Sequence, residues 1–174
     1  MNILLPIALA ALAGSAQAQA PQPPSLAATV AAMPKGIVRA KGPALDVSIQ
    51  AARAAIAACA ANGHQVSALI VDSVGDPVVL LSGDGAGLRS QLIARTKVNT
   101  VVKYRMTSLA VADKAKTDPK LEAELEANPD IGMARGGGVP IVVNGEFLGA
   151  FAVSGAFGPD EECVDAALAK VPLH

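Results

Sequence analysis

The sequence predicts an α+β fold in which an antiparallel sheet is covered by helices. Three observations carry that prediction. Apolar residues recur at helical spacing from Leu45 to Cys59, an Asn144-Gly145 pair stands between β-branched segments, and the elements run helix, hairpin, helices, hairpin, helix. Strands that arrive in adjacent pairs joined by turns run antiparallel, and the helices between the pairs are left to cover the sheet.

Each element follows from local pattern. Leu45, Ile49, Ala52, Ile56 and Cys59 form one stripe on a helix that Asn62-Gly63 ends. Val66 to Val71 and Val78 to Leu81 are short strands paired across Asp72 to Pro77, a turn too long for the tightest type, and Gly83 to Gly87 breaks the chain again. Leu88 to Tyr104 returns to helical periodicity with two-sided character, Leu92, Thr96 and Lys103 on one side and Ile93, Val98, Val101 and Val102 on another. Ser108 to Lys116 and Pro119 to Ala127 read as shorter helices. In the second, Glu122, Glu124 and Glu126 do not converge on one face and suit a solvated surface rather than a metal. Val139 to Val143 and Glu146 to Val153 form a hairpin across Asn144-Gly145, whose residues accept the positive φ of a type I′ turn. Pro159 opens a last helix whose first residues, Asp160, Glu161 and Glu162, complement its dipole, with Val164, Ala167, Leu168 and Val171 facing inward.

Composition bounds the function. The chain has 174 residues, 52% apolar and only 2% aromatic, with 14 Lys+Arg against 15 Asp+Glu and a formal net charge of −1. No electropositive surface for a phosphate backbone and few platforms for base stacking follow from that, which excludes nucleic acid as a partner. Much of the apolar count is alanine, so the core must form by close backbone approach plus the Val, Leu and Ile clusters. Residues 1–18, an apolar run from Ile3 to Ala13 followed by Ala16-Gln17-Ala18, read as a secretory signal too short for a membrane span of about 20 residues. Removal after Ala18 would leave an exported protein, periplasmic or secreted, without a membrane span. Residues 19–43, with five prolines among alanines, read as a flexible or extended lead-in, and the domain proper occupies residues 44–174. Export permits a Cys59–Cys163 disulfide if the two helices are neighbours; two small buried thiols are the other reading.

No enzyme motif stands out. Ser154 lacks the frame of a nucleophile elbow, and only His64 and His174 could serve as a base. Two glycine clusters, Gly83/Gly85/Gly87 and Gly136-Gly137-Gly138, allow close approach of backbone to a ligand or simply make tight loops. The helix carrying Arg89, Arg95, Lys97, Thr100, Lys103, Tyr104 and Arg105, continuing into Met106, Thr107 and Ser108, suits an anionic, partly apolar ligand or a solvated basic face.

Six segments in order give the chain a wider likeness: the Ala-rich helix ending at Gly63; Val71-Asp72-Ser73-Val74-Gly75; Leu80 to Gly87; Lys97-x-x-Thr100 with Tyr104; Gly137-Gly138-Val139-Pro140-Ile141; and Gly149-Ala150-x-x-Val153-Ser154-Gly155-Ala156 before an acidic helix start. In these the chain resembles the GlcG/HbpS-like haem-binding family, also found as the C-terminal domain of some corrinoid adenosyltransferases, over about residues 44–171. The resemblance implies a profilin-like fold with a five-stranded antiparallel sheet, assembly as dimers up to octamers, haem as cofactor and an envelope sensor protein as partner. It places the family's hydroxyl ligand on Ser108, with Thr107 where proline is usual.

Haem needs an apolar slot, cations for two propionates and one or two iron ligands. The residue types that meet those needs are His64, Tyr104 and Met106 for iron and Arg89, Lys97 and Arg105 for carboxylates; the resemblance adds Ser108 as an iron ligand and Thr100, Gly137 and Gly138 as residues beside the cofactor. Core packing for Tyr104 and Met106, solvation for the cations and a surface turn for His64 are the competing assignments. The functional expectation is an exported haem- or tetrapyrrole-binding protein for iron handling or sensing. A slow haem-degrading or small-molecule-transforming enzyme and an interaction module with a vestigial pocket are the alternatives.

Overall fold

A computed structural model describes residues 25–33, 39–131 and 135–173. The proposed signal segment, residues 1–18, lies outside the described residues. The chain divides into two units at Val38 and Arg39. In the first, Leu26–Ala32 forms helix α1, where the sequence suggests an extended run; the Ser25 side chain accepts from the Ala28 N–H, and none of the helix's residues is buried. Alanine's helix propensity and a good N-cap suffice locally, without an apolar stripe to announce the helix.

The second unit holds α2 (Leu45–Ala61), β1 (Ser67–Asp72), β2 (Pro77–Ser82), α3 (Leu88–Tyr104), α4 (Ser108–Ala115), α5 (Pro119–Ala127), β3 (Gly138–Val143), β4 (Glu146–Ser154) and α6 (Asp160–Lys170). The strands form one antiparallel sheet in the order β2-β1-β4-β3. The sheet has four strands among the described residues, one fewer than the family resemblance implies. Both hairpins form, and Asn144 and Gly145 take the positive φ values, 50° and 81°, that the tight turn requires. The longer β1–β2 turn is organised by Asp72, whose Oδ1 accepts from the N–H groups of Val74, Gly75 and Asp76.

Period-2 alternation sorts the central strands onto two faces. Ala68, Ile70, Phe151 and Val153 face α2 and α6, while Leu69, Val71, Ala150 and Ala152 face α3 through Ala94, Val98 and Val101. The result is three layers, with β1 buried along its whole length. In α2 the face toward the sheet is Ser48, Ala51, Ala52, Ala55 and Cys59, whereas Leu45 is 55% exposed. Ile49 and Ile56 flank that face and pack against the same core, while the alanines let the helix close on the sheet. A third small core, Val111, Ala115, Leu121, Leu125 and Ile131, joins α4 and α5 beside Tyr104.

α2 and α6 are neighbours, and Cys59 is bonded to Cys163 with their Cα atoms 5.4 Å apart. The bridge closes a loop spanning 104 positions. Loops of that size restrict the unfolded chain strongly, and native disulfides of this kind contribute about 2–4 kcal/mol. Replacing both cysteines with alanine should lower the melting temperature by about 5–15 °C. Reductant should have the same effect on the unsubstituted protein, and an unchanged melt followed by circular dichroism would show that the thiols are not bridged.

Candidate functional site

Helix α3 carries a lysine into the interior. Lys97 is 1% exposed, and at that depth an ammonium needs full compensation. It finds it where β4 ends and α6 begins: Nζ donates to Asp160 Oδ2 at 2.8 Å and to the Val153 carbonyl at 2.8 Å. Asp160 Oδ1 in turn accepts from the Ala156 N–H at 2.9 Å, so the carboxylate ties the β4 exit to the first residue of α6. Burial pushes the Lys97 pKa below its ordinary value; the charge of Asp160 and its hydrogen bond oppose that shift, and nearby Arg135 adds to it.

The glycine loop closes over this pair. Gly137 has φ of +106°, and a Cβ there would stand 2.6 Å from Asp160 Cβ, 2.8 Å from the Val153 oxygen and 2.9 Å from Lys97 Nζ. Only glycine fits that conformation and that space. Beside it the Gly138 N–H donates to Ser108 Oγ at 3.0 Å, and Ser108 donates its proton to the Arg135 carbonyl. The Ser108 hydroxyl is thus spent on positioning the loop. Thr107, in place of the usual proline, caps α4 by accepting from the Ala110 N–H.

Above the ion pair lies a cavity of about 540 Å³ at the sheet end where β1 begins and β4 exits. That volume is ordinary for a small-molecule or cofactor site. Lys97 and Asp160 line it; Arg89 and Ile93 come from the first turns of α3, His64 from the α2–β1 turn, and Arg135 from the glycine loop. Among the described residues neither guanidinium is in an ion pair. Phe157 stands at the same cavity, 90% exposed and in the left-handed region at φ 56°, an unfavourable state for an aromatic residue on both counts. Ser90, also in the wall, ends a directional chain of hydroxyls. It donates to the Gly87 carbonyl and therefore accepts from Ser67, which accepts from Ser82, which accepts from the Gln91 amide.

The structure therefore brings together His64, Arg89, Lys97 and the Gly137–Gly138 loop, with Ser108 holding that loop, and separates Thr100, Tyr104, Arg105 and Met106 from the cavity. Arg105 sits at the far end of α3, roughly 24 Å from Arg89 along the axis, with its guanidinium 3.7 Å from the centre of the Phe147 ring. Thr100 is buried and donates to the Thr96 carbonyl. Tyr104 and Met106 line a different, smaller cavity against α4 and α5. Arg135, Phe157 and the pairing role of Asp160 escape sequence reasoning. Arg135 preceding three glycines was the available signal, whereas Asp160 reads from sequence only as a helix-dipole residue. Among the described residues no three His, Cys, Asp or Glu side chains gather into a metal-binding group.

Removing one member of a buried ion pair leaves the other charged and uncompensated, at a cost of about 3–5 kcal/mol. Lys97→Met should therefore destabilise the protein by that order in urea unfolding, and the double variant Lys97→Met/Asp160→Asn should regain part of the loss. Strict additivity of the two single substitutions would mean that the pair does not act as a unit.

Comparison with known proteins agrees with this architecture. Solved structures of HbpS (28% identity, TM-score 0.66, covering 80% of this chain and 97% of that one) and of a doubly substituted Streptomyces reticuli HbpS (27%, 0.66, 89% and 99%) share the fold. A PduOC–haem complex has the same fold at 22% identity and TM-score 0.67, covering 76% of this chain and 97% of that one. No curated protein matches the chain. The family model described as "Haem degrading protein HbpS-like" matches residues 44–169, and with the fold and the motifs of the glycine loop in place, the chain belongs to the HbpS-like family.

Proposed function

We propose that the protein binds haem or a related tetrapyrrole in the 540 Å³ cavity and serves in its handling or sensing. The observation that carries this reading is the combination, in one cavity of an HbpS-like chain, of an imidazole and two guanidiniums that have no carboxylate partner among the described residues. The solved PduOC–haem complex, a protein of the same fold, supports the choice of ligand. Arg89 and Arg135 suit two propionates, because guanidinium pairs with carboxylate in a planar, two-point geometry. His64 offers a nitrogen to iron, and Ile93 and Phe157 offer apolar surface to the macrocycle. Haem bound there would supply the redox and ligand-exchange chemistry of its iron. Lys97 holds the cavity floor and is already matched to Asp160.

The same reading extends to the setting. We place the protein outside the cytoplasm, periplasmic or secreted, on the strength of residues 1–18 and of a disulfide that suits an oxidising compartment. We also infer a homo-oligomer able to meet an envelope sensor protein. Leu88 and Leu92, one turn apart on α3 and 67% and 59% exposed, give it apolar surface to bury.

Titration with ferric haem, followed by absorbance and by size-exclusion mass, tests the proposal. A saturable Soret shift at a fixed ratio per subunit is expected. Arg89→Ala and Arg135→Ala should each weaken binding by roughly ten-fold or more, and His64→Ala should change the spectrum of the bound iron. A featureless, non-saturating response, or full indifference to all three substitutions, would place the ligand or the site elsewhere. Product formation on adding a reductant would turn the reading from binding to haem degradation.

A further inference from the structure

After Tyr104 the chain turns through Arg105 in the left-handed region, and α4 and α5 fold back around a small core of their own. Set against that core is a cavity of about 270 Å³ that takes no part in the site described above. Its lining combines three kinds of group. Met106, Val111 and Leu121 give it apolar surface. Tyr104 gives it a phenol whose Oη is buried, with no well-formed hydrogen bond among the described residues and the Glu124 carboxylate as its nearest acceptor. Lys114 and Lys120 give it two ammonium groups, neither in an ion pair among the described residues.

The acidic side chains at the same cavity are already matched. Asp118 Oδ1 accepts from the Lys120 and Leu121 N–H groups as the cap of α5, and Glu124 is bonded to Lys103. With Glu124 paired to Lys103, two ammoniums face the one remaining carboxylate, Asp118, so the balance left for a guest is positive, and the first turn of α5 adds the positive end of its dipole. The Tyr104 hydroxyl shares Glu124 with Lys103 and makes no well-formed hydrogen bond to it, so a guest carrying oxygen atoms would offer a better acceptor.

We propose that this cavity binds a small amphipathic carboxylate, with its oxygens on the Tyr104 phenol and the Lys114 and Lys120 ammoniums and its short aliphatic chain on Met106, Val111 and Leu121. Burial and the neighbouring Glu124 hold the Tyr104 pKa above its ordinary value, so at neutral pH the phenol is a neutral donor that receives an anion rather than repelling it. The site is separate from the haem proposal and stands or falls without it.

The protein carries its own reporter: it has one tyrosine and no tryptophan, so tyrosine emission comes from Tyr104 alone. Titration of the full chain with sodium hexanoate should give a saturable change in that emission. Hexanol, with the same chain and no charge, should bind at least about ten-fold more weakly, and inorganic phosphate should give no saturable change. By calorimetry, Tyr104→Phe and the surface double variant Lys114→Gln/Lys120→Gln should each weaken hexanoate about ten-fold, while His64→Ala and Arg89→Ala leave it unchanged. The proposal is overturned by the absence of a saturable response to hexanoate, by equal binding of hexanol, by an equal response to phosphate, or by an unaltered affinity in the lysine double variant.

Discussion

The ammonium of Lys97, taken out of water in mid-helix, is the constraint to which the surrounding structure answers. Its partners are not neighbours in sequence: the carbonyl comes from the end of β4 and the carboxylate from the first residue of α6. For both to reach Nζ, β4 must stop at Ser154, the chain must double back through Gly155 to Pro159, and the loop before β3 must pass without a side chain. Ser108 then holds that loop by its two hydrogen bonds, which fixes where α4 begins. One buried charge thus coordinates α3, α4, β3, β4 and α6, and the larger cavity opens beside the segments it has drawn together.

Close approach supplies the rest of the frame. Alanines on α2, α3 and β4 let three layers pack with little side-chain volume between them, and the disulfide clamps α2 to α6 on the face away from α3. The two faces of the sheet consequently differ in character. The α2/α6 face carries the larger apolar cluster, while the α3 face mixes Lys97, Thr100 and Ser90 with aliphatic residues, and both cavities touch α3.

Much of the fold is legible in the sequence where the signal is local. The Asn144-Gly145 turn, the helical spacing of α2 and α3 and the pairing of strands rest on backbone preferences of adjacent residues, and they stand where expected. The stripe of α2 is read correctly through Ile49, Ala52, Ile56 and Cys59 but extended too far to Leu45, and the fully buried alanines beside it are missed because hydrophobic size guides pattern reading. The family resemblance is legible as well, since it rests on ordered short motifs. The candidate site is legible in pieces only. Arg89, Lys97, Thr100, Tyr104 and Arg105 share a helix, so sequence groups them, yet the helix spans the molecule and its ends face different neighbours. Asp160 and Arg135 matter through pairings across the fold, and nothing adjacent to them in the chain announces those partners.

The serine chain in the cavity wall gives that wall a sense of direction. Each hydroxyl has one proton, and the amide of Gln91 at one end and the carbonyl of Gly87 at the other leave only one way to arrange them. Ser90 therefore faces the cavity with a lone pair and no hydrogen to give. A guest must bring an N–H or O–H group to that spot or leave it to water, while anionic groups are turned toward the guanidiniums. The cavity is polarised before anything enters it, and a ligand with distinct donor and acceptor edges has one preferred way round.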